Sequence, residues 1–256
     1  MKQAVAIVTG ASQGIGRATA IRLARDFSSL TLVARNTNRL LETASEVRAQ
    51  GAEAFVVSVV LSDPQAPVTV VDDTIKRFGR IDALLNIAGA VPQVDLFDMS
   101  DEAWESGMAL KLHGARRLAL RAWDTLKASK GSVVFISGDS AQIPKAAYAA
   151  VGTINAAIVA LAKAFADRGM TDGVQVNSVL PGPIMTDRRK SYLANWAPVH
   201  NVSLEEASKE FLARTGVGRY GTPEEIAELM AFLVSPKAHW MTGSAIRMDG
   251  GEVTAV

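Results

Sequence analysis

The chain has 256 residues, 48% hydrophobic and 21% charged, and its 27 basic against 26 acidic side chains leave a formal charge of +1. So even a balance gives no long-range pull toward a polyanion or an anionic bilayer, which argues for a small-molecule substrate and against nucleic-acid or membrane partners. With no cysteine and with His113, His200 and His239 far apart in sequence, disulfides, thiolate nucleophiles and metal centres are not expected, and a reducing, cytoplasmic setting fits.

Met1-Lys2-Gln3 leads into a short apolar run, Ala4–Thr9, which reads as a first strand and not as a leader peptide. Thr9-Gly10-Ala11-Ser12-Gln13-Gly14-Ile15-Gly16 then opens a helical pattern over Gly14–Asp26. Glycines between strand and helix let the chain turn tightly and bring backbone N–H groups to a pyrophosphate at the helix's positive end. Gly10, Ser12, Gln13, Gly14, Ile15 and Gly16 are therefore candidate cofactor contacts. A second strand, Leu30–Ala34, ends on Arg35-Asn36, with Arg39 a helical turn further on. An acidic residue there would bond a ribose 2′-hydroxyl, whereas a guanidinium suits a 2′-phosphate, so NADP(H) is favoured over NAD(H).

A helix over Asn38–Ala49 and a third strand over Ala54–Leu61, ending on Val60 and Leu61, follow. Ser62 or Asp63 precedes a helix over Pro64–Phe78, and a fourth strand, Ile81–Asn86, runs into Asn86-Ile87-Ala88-Gly89. Beyond Ser100 the pattern predicts one long helix over Asp101–Leu126, then a strand over Ser132–Ile136 and a helix over Ala147–Arg168. The uncharged stretch between Lys145 and Lys163 is shorter than the ~20 residues a bilayer needs and contains Tyr148, Gly152, Thr153 and Asn155, so it reads as a buried helix. A strand over Val174–Leu180 gives way to an irregular region, roughly 181–221, holding a short helical pattern at Leu204–Ala213. Thr222-Pro223-Glu224-Glu225 starts a helix over Pro223–Val234, and Ala245–Met248 is a last strand.

Strands that are apolar throughout and alternate with helices are parallel and buried on both faces. The expectation is a single α/β domain over 1–256, a doubly wound Rossmann-type sheet. Ligands bind beyond the carboxyl ends of such strands, so 181–221 is a plausible lid, carrying Arg188, Arg189, Lys190, Tyr192, Trp196 and His200 for an anionic or planar substrate.

The Thr-Gly-x3-Gly-x-Gly loop resembles that of the short-chain dehydrogenase/reductase family, and four further segments match in order. These are Gly79–Gly89, Asn177-Ser178-Val179-Leu180-Pro181-Gly182 with Thr186, Arg219–Ala227, and Thr242-Gly243 through Asp249-Gly250-Gly251. The resemblance covers essentially the whole chain and implies a seven-stranded sheet, NAD(H) or NADP(H), and a homotetramer or homodimer packed through the fourth and fifth helices. It implies that Asn86, Ala88, Gly89, Pro181, Gly182, Ile184 and Thr186 lie along the cofactor. Two positions depart from the family: Ile87 stands where a second Asn is usual, and Val60 where an Asp usually meets the adenine amino group, so the resemblance implies an apolar wall of Val60 and Leu61 for the adenine.

In this family a Tyr protonates the carbonyl oxygen, a Lys lowers that Tyr's pKa and holds the ribose, a Ser bonds the carbonyl, and an Asn lies on the fourth helix. Four residues after Tyr148 stands Gly152, not Lys. Registering on Ala160–Ala166, which resembles the later part of the family helix, places Val151 at the Tyr position, Asn155 at the Lys position, Gly138 at the Ser position and Lys111 at the Asn position. All four are replaced, and Lys and Asn have exchanged helices. The expectation is a rearranged proton-donor site in which Lys111 supplies the cation, Asn155 bonds the ribose, Tyr148 is the nearest phenol, and Ser137 and Ser140 are the nearest hydroxyls. Two alternatives stay open: a non-catalytic dinucleotide-binding sensor or oligomer partner, and a non-redox enzyme pairing Lys111 with Asp139.

Overall fold

The computed structural model describes residues 3–254. Seven strands form one parallel sheet: β1 (Val5–Thr9), β2 (Ser29–Ala34), β3 (Glu53–Ser58), β4 (Ala83–Asn86), β5 (Ser132–Ile136), β6 (Gln175–Pro181) and β7 (Ala245–Met248), in the order β3-β2-β1-β4-β5-β6-β7. The inner strands are buried at nearly every position because successive side chains feed opposite layers: Ala6 and Val8 join one core, Ile7 the other; Leu85 joins the first, Leu84 the second. The first layer is closed by α1 (Gly14–Leu23), α2 (Thr37–Ala49) and α9 (Pro223–Leu233), the second by α3 (Ala66–Phe78), α5 (Ala115–Ser129) and α6 (Ala149–Asp172). Strand order reverses between β1 and β4, and a crevice opens there.

Four differences from the sequence expectations have local causes. The third helix begins at Ala66, and neither Ser62 nor Asp63 caps it; the Asp63 carboxylate instead accepts from the Gln65 amide within the preceding turn. The expected Asp101–Leu126 helix is α4 (Asp101–Gly107) and α5 joined by a wide π-helical stretch, Met108–Gly114. Gly114 sits there against the Leu61 carbonyl, where a Cβ would come within 2.7 Å. The uncharged stretch is the core of α6, which packs along β5 and β6 and runs on to Asp172, anchored by Trp123, Lys127 and Arg168 on the Asp172 carboxylate. Region 181–221 holds two helices, α7 (Asp187–Val199) and α8 (Leu204–Ala213), packed on each other through Leu193, Ala197 and Ala207.

Candidate active site

A cleft of about 1000 Å3 runs across the carboxyl ends of β1, β4, β5 and β6 beneath α7. At its phosphate end, Gly10 has φ +68° and lies so close to Ala88 that a Cβ would meet that backbone at 3.1 Å. A Cβ on Gly16 would come within 2.2 Å of the Gly10 carbonyl oxygen. No side chain caps the start of α1, so its first N–H groups remain available to an anion. Thr9 Oγ1 ties the two halves of the crevice together: it accepts from Ile87 N at 2.8 Å and Ala88 N at 3.0 Å and donates to Leu85 O at 3.2 Å. This narrow backbone cradle fits a pyrophosphate, and Ser12, Gln13, Gly14, Ile15, Ala88, Gly89, Pro181, Gly182, Ile184 and Thr186 line the same cleft.

At the rim, Arg35, Asn36 and Arg39 surround the mouth. Asn36 accepts from Arg39 N and caps α2, and the Arg39 guanidinium donates to the Gln13 side chain. Among the described residues neither Arg35 nor Arg39 has an acidic partner in an ion pair, which leaves both charges open to a phosphate. Two expected contacts are corrected. Val60 is 49% exposed and does not line the cleft; Val59 and Leu61 form the wall instead, because the chain turns just after β3. Asn86 lies below the floor, buried within β4, and its Nδ2 has no hydrogen-bond partner.

At the other end, the π-helical stretch swings Lys111 into the cleft. Its Nζ donates to Asn155 Oδ1 at 2.5 Å and to Ser137 O at 3.1 Å. Its stem packs over Gly89, where a Cβ would come within 3.0 Å of Lys111 Cδ. Asn155 Nδ2 donates to Ser140 Oγ at 2.8 Å, and Ser137 Oγ donates to Asn155 O at 2.8 Å. Gly138 is part of the same fit: a Cβ there would lie 2.6 Å from Asn155 Nδ2, so a side chain would displace the amide. Burial, reinforced by the Arg188 guanidinium, pushes the Lys111 ammonium down to about 7. An ammonium has three protons to give, and the two bonds to Asn155 and Ser137 use two of them.

Tyr148 ends a 3-10 turn, Ala146–Tyr148, before α6, and Val151 follows on the helix's first turn; both line the cleft. Burial raises the Tyr148 phenol, and the carboxyls of Asp139 and Glu252 add to the shift. The expected Lys111–Asp139 pair does not form. Asp139, on the 3-10 turn after β5, shares a side-chain hydrogen bond with Glu252; burial raises both carboxyls, the Asp139 carboxyl pushes Glu252 up further, and Asp249 repels both.

From above, Thr186 accepts from Arg189 N and starts α7. Arg188 reaches over the cleft to donate to Val91 O at 2.6 Å and Gly89 O at 3.4 Å. Arg189 lies over the Phe211 ring at 4.1 Å, with Tyr192 beside it. Only part of the expected lid cluster faces inward. Lys190 points to solvent near Asp187, and Trp196 stacks on His200 at 3.7 Å away from the cleft. Glu252 escaped the sequence reading altogether. Gly250 and Gly251, with φ of +68° and +89°, turn the chain back over the site, and that glycine pair was the available signal.

Comparison with known proteins matches residues 10–252 to the family model described as enoyl-(acyl carrier protein) reductase. The short-chain reductase protein NovJ of Streptomyces niveus is 30% identical over 251 residues, covering 98% of this chain and 94% of that protein. L-rhamnose 1-dehydrogenase (NAD(P)(+)) of a Sphingomonas species is 31% identical over 249 residues, covering 96% of this chain and 94% of that protein. The crystal structure of L-sorbose reductase from Gluconobacter frateurii, complexed with NADPH and L-sorbose, superposes with a TM-score of 0.94 at 27% identity over 100% of both chains.

Proposed function

The chain belongs to the short-chain dehydrogenase/reductase family, an NAD(P)-dependent oxidoreductase fold, and from that premise we propose an NADP(H)-dependent carbonyl reductase or alcohol dehydrogenase whose proton donor is Lys111. The observation that carries this reading is the Lys111–Asn155 contact, together with the fall of the ammonium to about 7. A general acid works best when its pKa lies near the working pH. Tyr148 is displaced in the opposite direction, which makes it the poorer donor.

Arg35 and Arg39 would hold the 2′-phosphate, the Gly10–Gly16 loop and the start of α1 the pyrophosphate, and Asn155 the nicotinamide ribose. The presence of NADPH in the L-sorbose reductase complex supports the same preference. When bound, the dinucleotide supplies or accepts the hydride. Lys111 orients the substrate's carbonyl oxygen with its third N–H and delivers the proton to the oxygen as negative charge develops there. Asn155 and Ser137 O hold the ammonium in place, and Ser140 fixes the Asn155 amide. Assembly as a homotetramer or homodimer through α5 and α6 belongs to the same reading, supported by the exposed apolar Leu120 and Met170 on those helices.

The test is a fluorescence titration with NADPH and NADH, followed by NADPH oxidation across a panel of ketones and aldehydes. Tighter NADPH binding with turnover is expected; tight NADPH binding with no oxidation anywhere in the panel would favour a non-catalytic sensor.

A further inference from the structure

The cleft carries more positive charge than a dinucleotide and a neutral ketone require. Lys111, Arg188 and Arg189 line it, and among the described residues none of the three is in an ion pair with a carboxylate. Arg188 is fixed by the backbone carbonyls of Gly89 and Val91, which orient its guanidinium without neutralising it. Arg189 Nη1 is buried and has no hydrogen-bond partner at all. Its charge is met by the Phe211 and Tyr192 rings and by attraction to Tyr220, Tyr192 and Asp139, with no carboxylate in an ion pair among the described residues. A buried guanidinium N–H without an acceptor costs on the order of 1–3 kcal/mol, and a charged donor costs more, so an acceptor supplied by a ligand recovers that loss.

We propose that the substrate of this site carries a carboxylate beside its carbonyl or hydroxyl group, and that Arg188 and Arg189 of α7 are the residues that select it. The inference rests on the oxidoreductase reading above for which group reacts, but not for where the anion binds. The carboxylate takes Arg189 Nη1 as its hydrogen-bond donor and the Arg188 guanidinium as its second charge, while Lys111 stays with the reacting oxygen. Asp139 and Glu252 share a side-chain hydrogen bond and burial raises both carboxyls, which weakens their claim on the Arg189 charge. The same charges disfavour a substrate bearing an ammonium group.

The test uses acetoacetate and levulinate with their methyl esters, which keep the ketone and remove the charge. Calorimetric titrations are run on the protein alone and on the protein saturated with NADP+. Each acid is expected to bind about tenfold or more tightly than its ester, the worth of one charge-assisted contact. Arg189→Gln and Arg188→Gln are expected to abolish that difference while leaving the NADPH affinity within about twofold, since neither side chain is placed at the phosphates. Equal binding of acid and ester, tighter ester binding, or no saturable binding of either acid would overturn the proposal. Loss of NADPH binding in the unsubstituted protein would instead sink the oxidoreductase reading, and the titrations without NADP+ would still judge the anion site.

Discussion

The Lys111 ammonium and the Asn155 side-chain oxygen are joined by a 2.5 Å hydrogen bond across the cleft, linking the π-helical stretch after α4 to the second turn of α6. Each side chain holds the other. If the pair is the proton-donor machinery, truncating either member removes more than its own contacts.

Lys111→Ala is expected to lower the NADPH oxidation rate by about 10²–10⁴, the range for loss of a general acid, and Asn155→Ala by less, about 10–10². NADPH affinity should fall in the second variant and not in the first, because only Asn155 is placed at the ribose. Stopped-flow oxidation traces with parallel binding titrations check both.

The pH profile should carry the signature of a lysine near 7. Carbonyl reduction requires the protonated ammonium, so the rate is full below about pH 7 and falls as pH rises through that value. Arg188 repels the ammonium, so Arg188→Gln should move the falling limb to higher pH. A limb that stays in place would show that the titrating group is not Lys111.

Stability should respond with the opposite sense. The unfolded lysine titrates near ~10.4 and the folded one at about 7, so between these values the unfolded chain binds more protons and folding stability rises with pH. Lys111→Met is therefore expected to stabilise the protein by about 1–2 kcal/mol at pH 6 while costing activity. Urea unfolding at pH 6 and pH 9 measures the gain and its decrease, the last of it vanishing only above the unfolded lysine's value near ~10.4.

Much of this architecture is legible in the sequence alone. β5 falls where its apolar run placed it, because a strand buried on both faces leaves no ambiguity of side, and the edge strand β7, exposed at Ala245 and Arg247, keeps its expected bounds as well. The glycine loop was legible because close backbone approach at Gly10 and Gly16 tolerates no other residue. Helix α7 was not: it includes Pro198 and buries only Leu193 and Ala197, against α8, so no apolar stripe marks it. The wide turn at Lys111 was hidden because apolar spacing continues unbroken through it. Glu252 reaches the site from the far end of the chain, and spacing says nothing about such an approach, whereas Arg189 was already among the residues the 181–221 segment offered. Val60 lost its expected role to Val59 and Leu61 because a turn right after β3 re-aims each side chain.

At the other end of the cleft, cofactor choice rests on two open guanidiniums. Arg35→Ala and Arg39→Ala should each weaken NADPH binding by about 10–100-fold and leave NADH binding nearly unchanged, as expected for one charge-assisted phosphate contact. The ratio of the two dissociation constants is the measurement.

Thr9 is a structural keystone with a functional consequence. Thr9→Val leaves the Ile87 and Ala88 amides without their acceptor, at a cost of about 1–3 kcal/mol in urea unfolding. Because those amides set the floor under Gly10, NADPH affinity should fall as well.

The most direct test of the central claim sets Lys111→Ala against Tyr148→Phe in NADPH oxidation with whichever ketone the panel identifies. A loss of about a hundredfold or more in the lysine variant, with the phenylalanine variant within a few-fold of the unsubstituted protein, is the predicted result. Full activity without the Lys111 amine, and its collapse without the Tyr148 hydroxyl, would contradict the account and return proton delivery to the phenol.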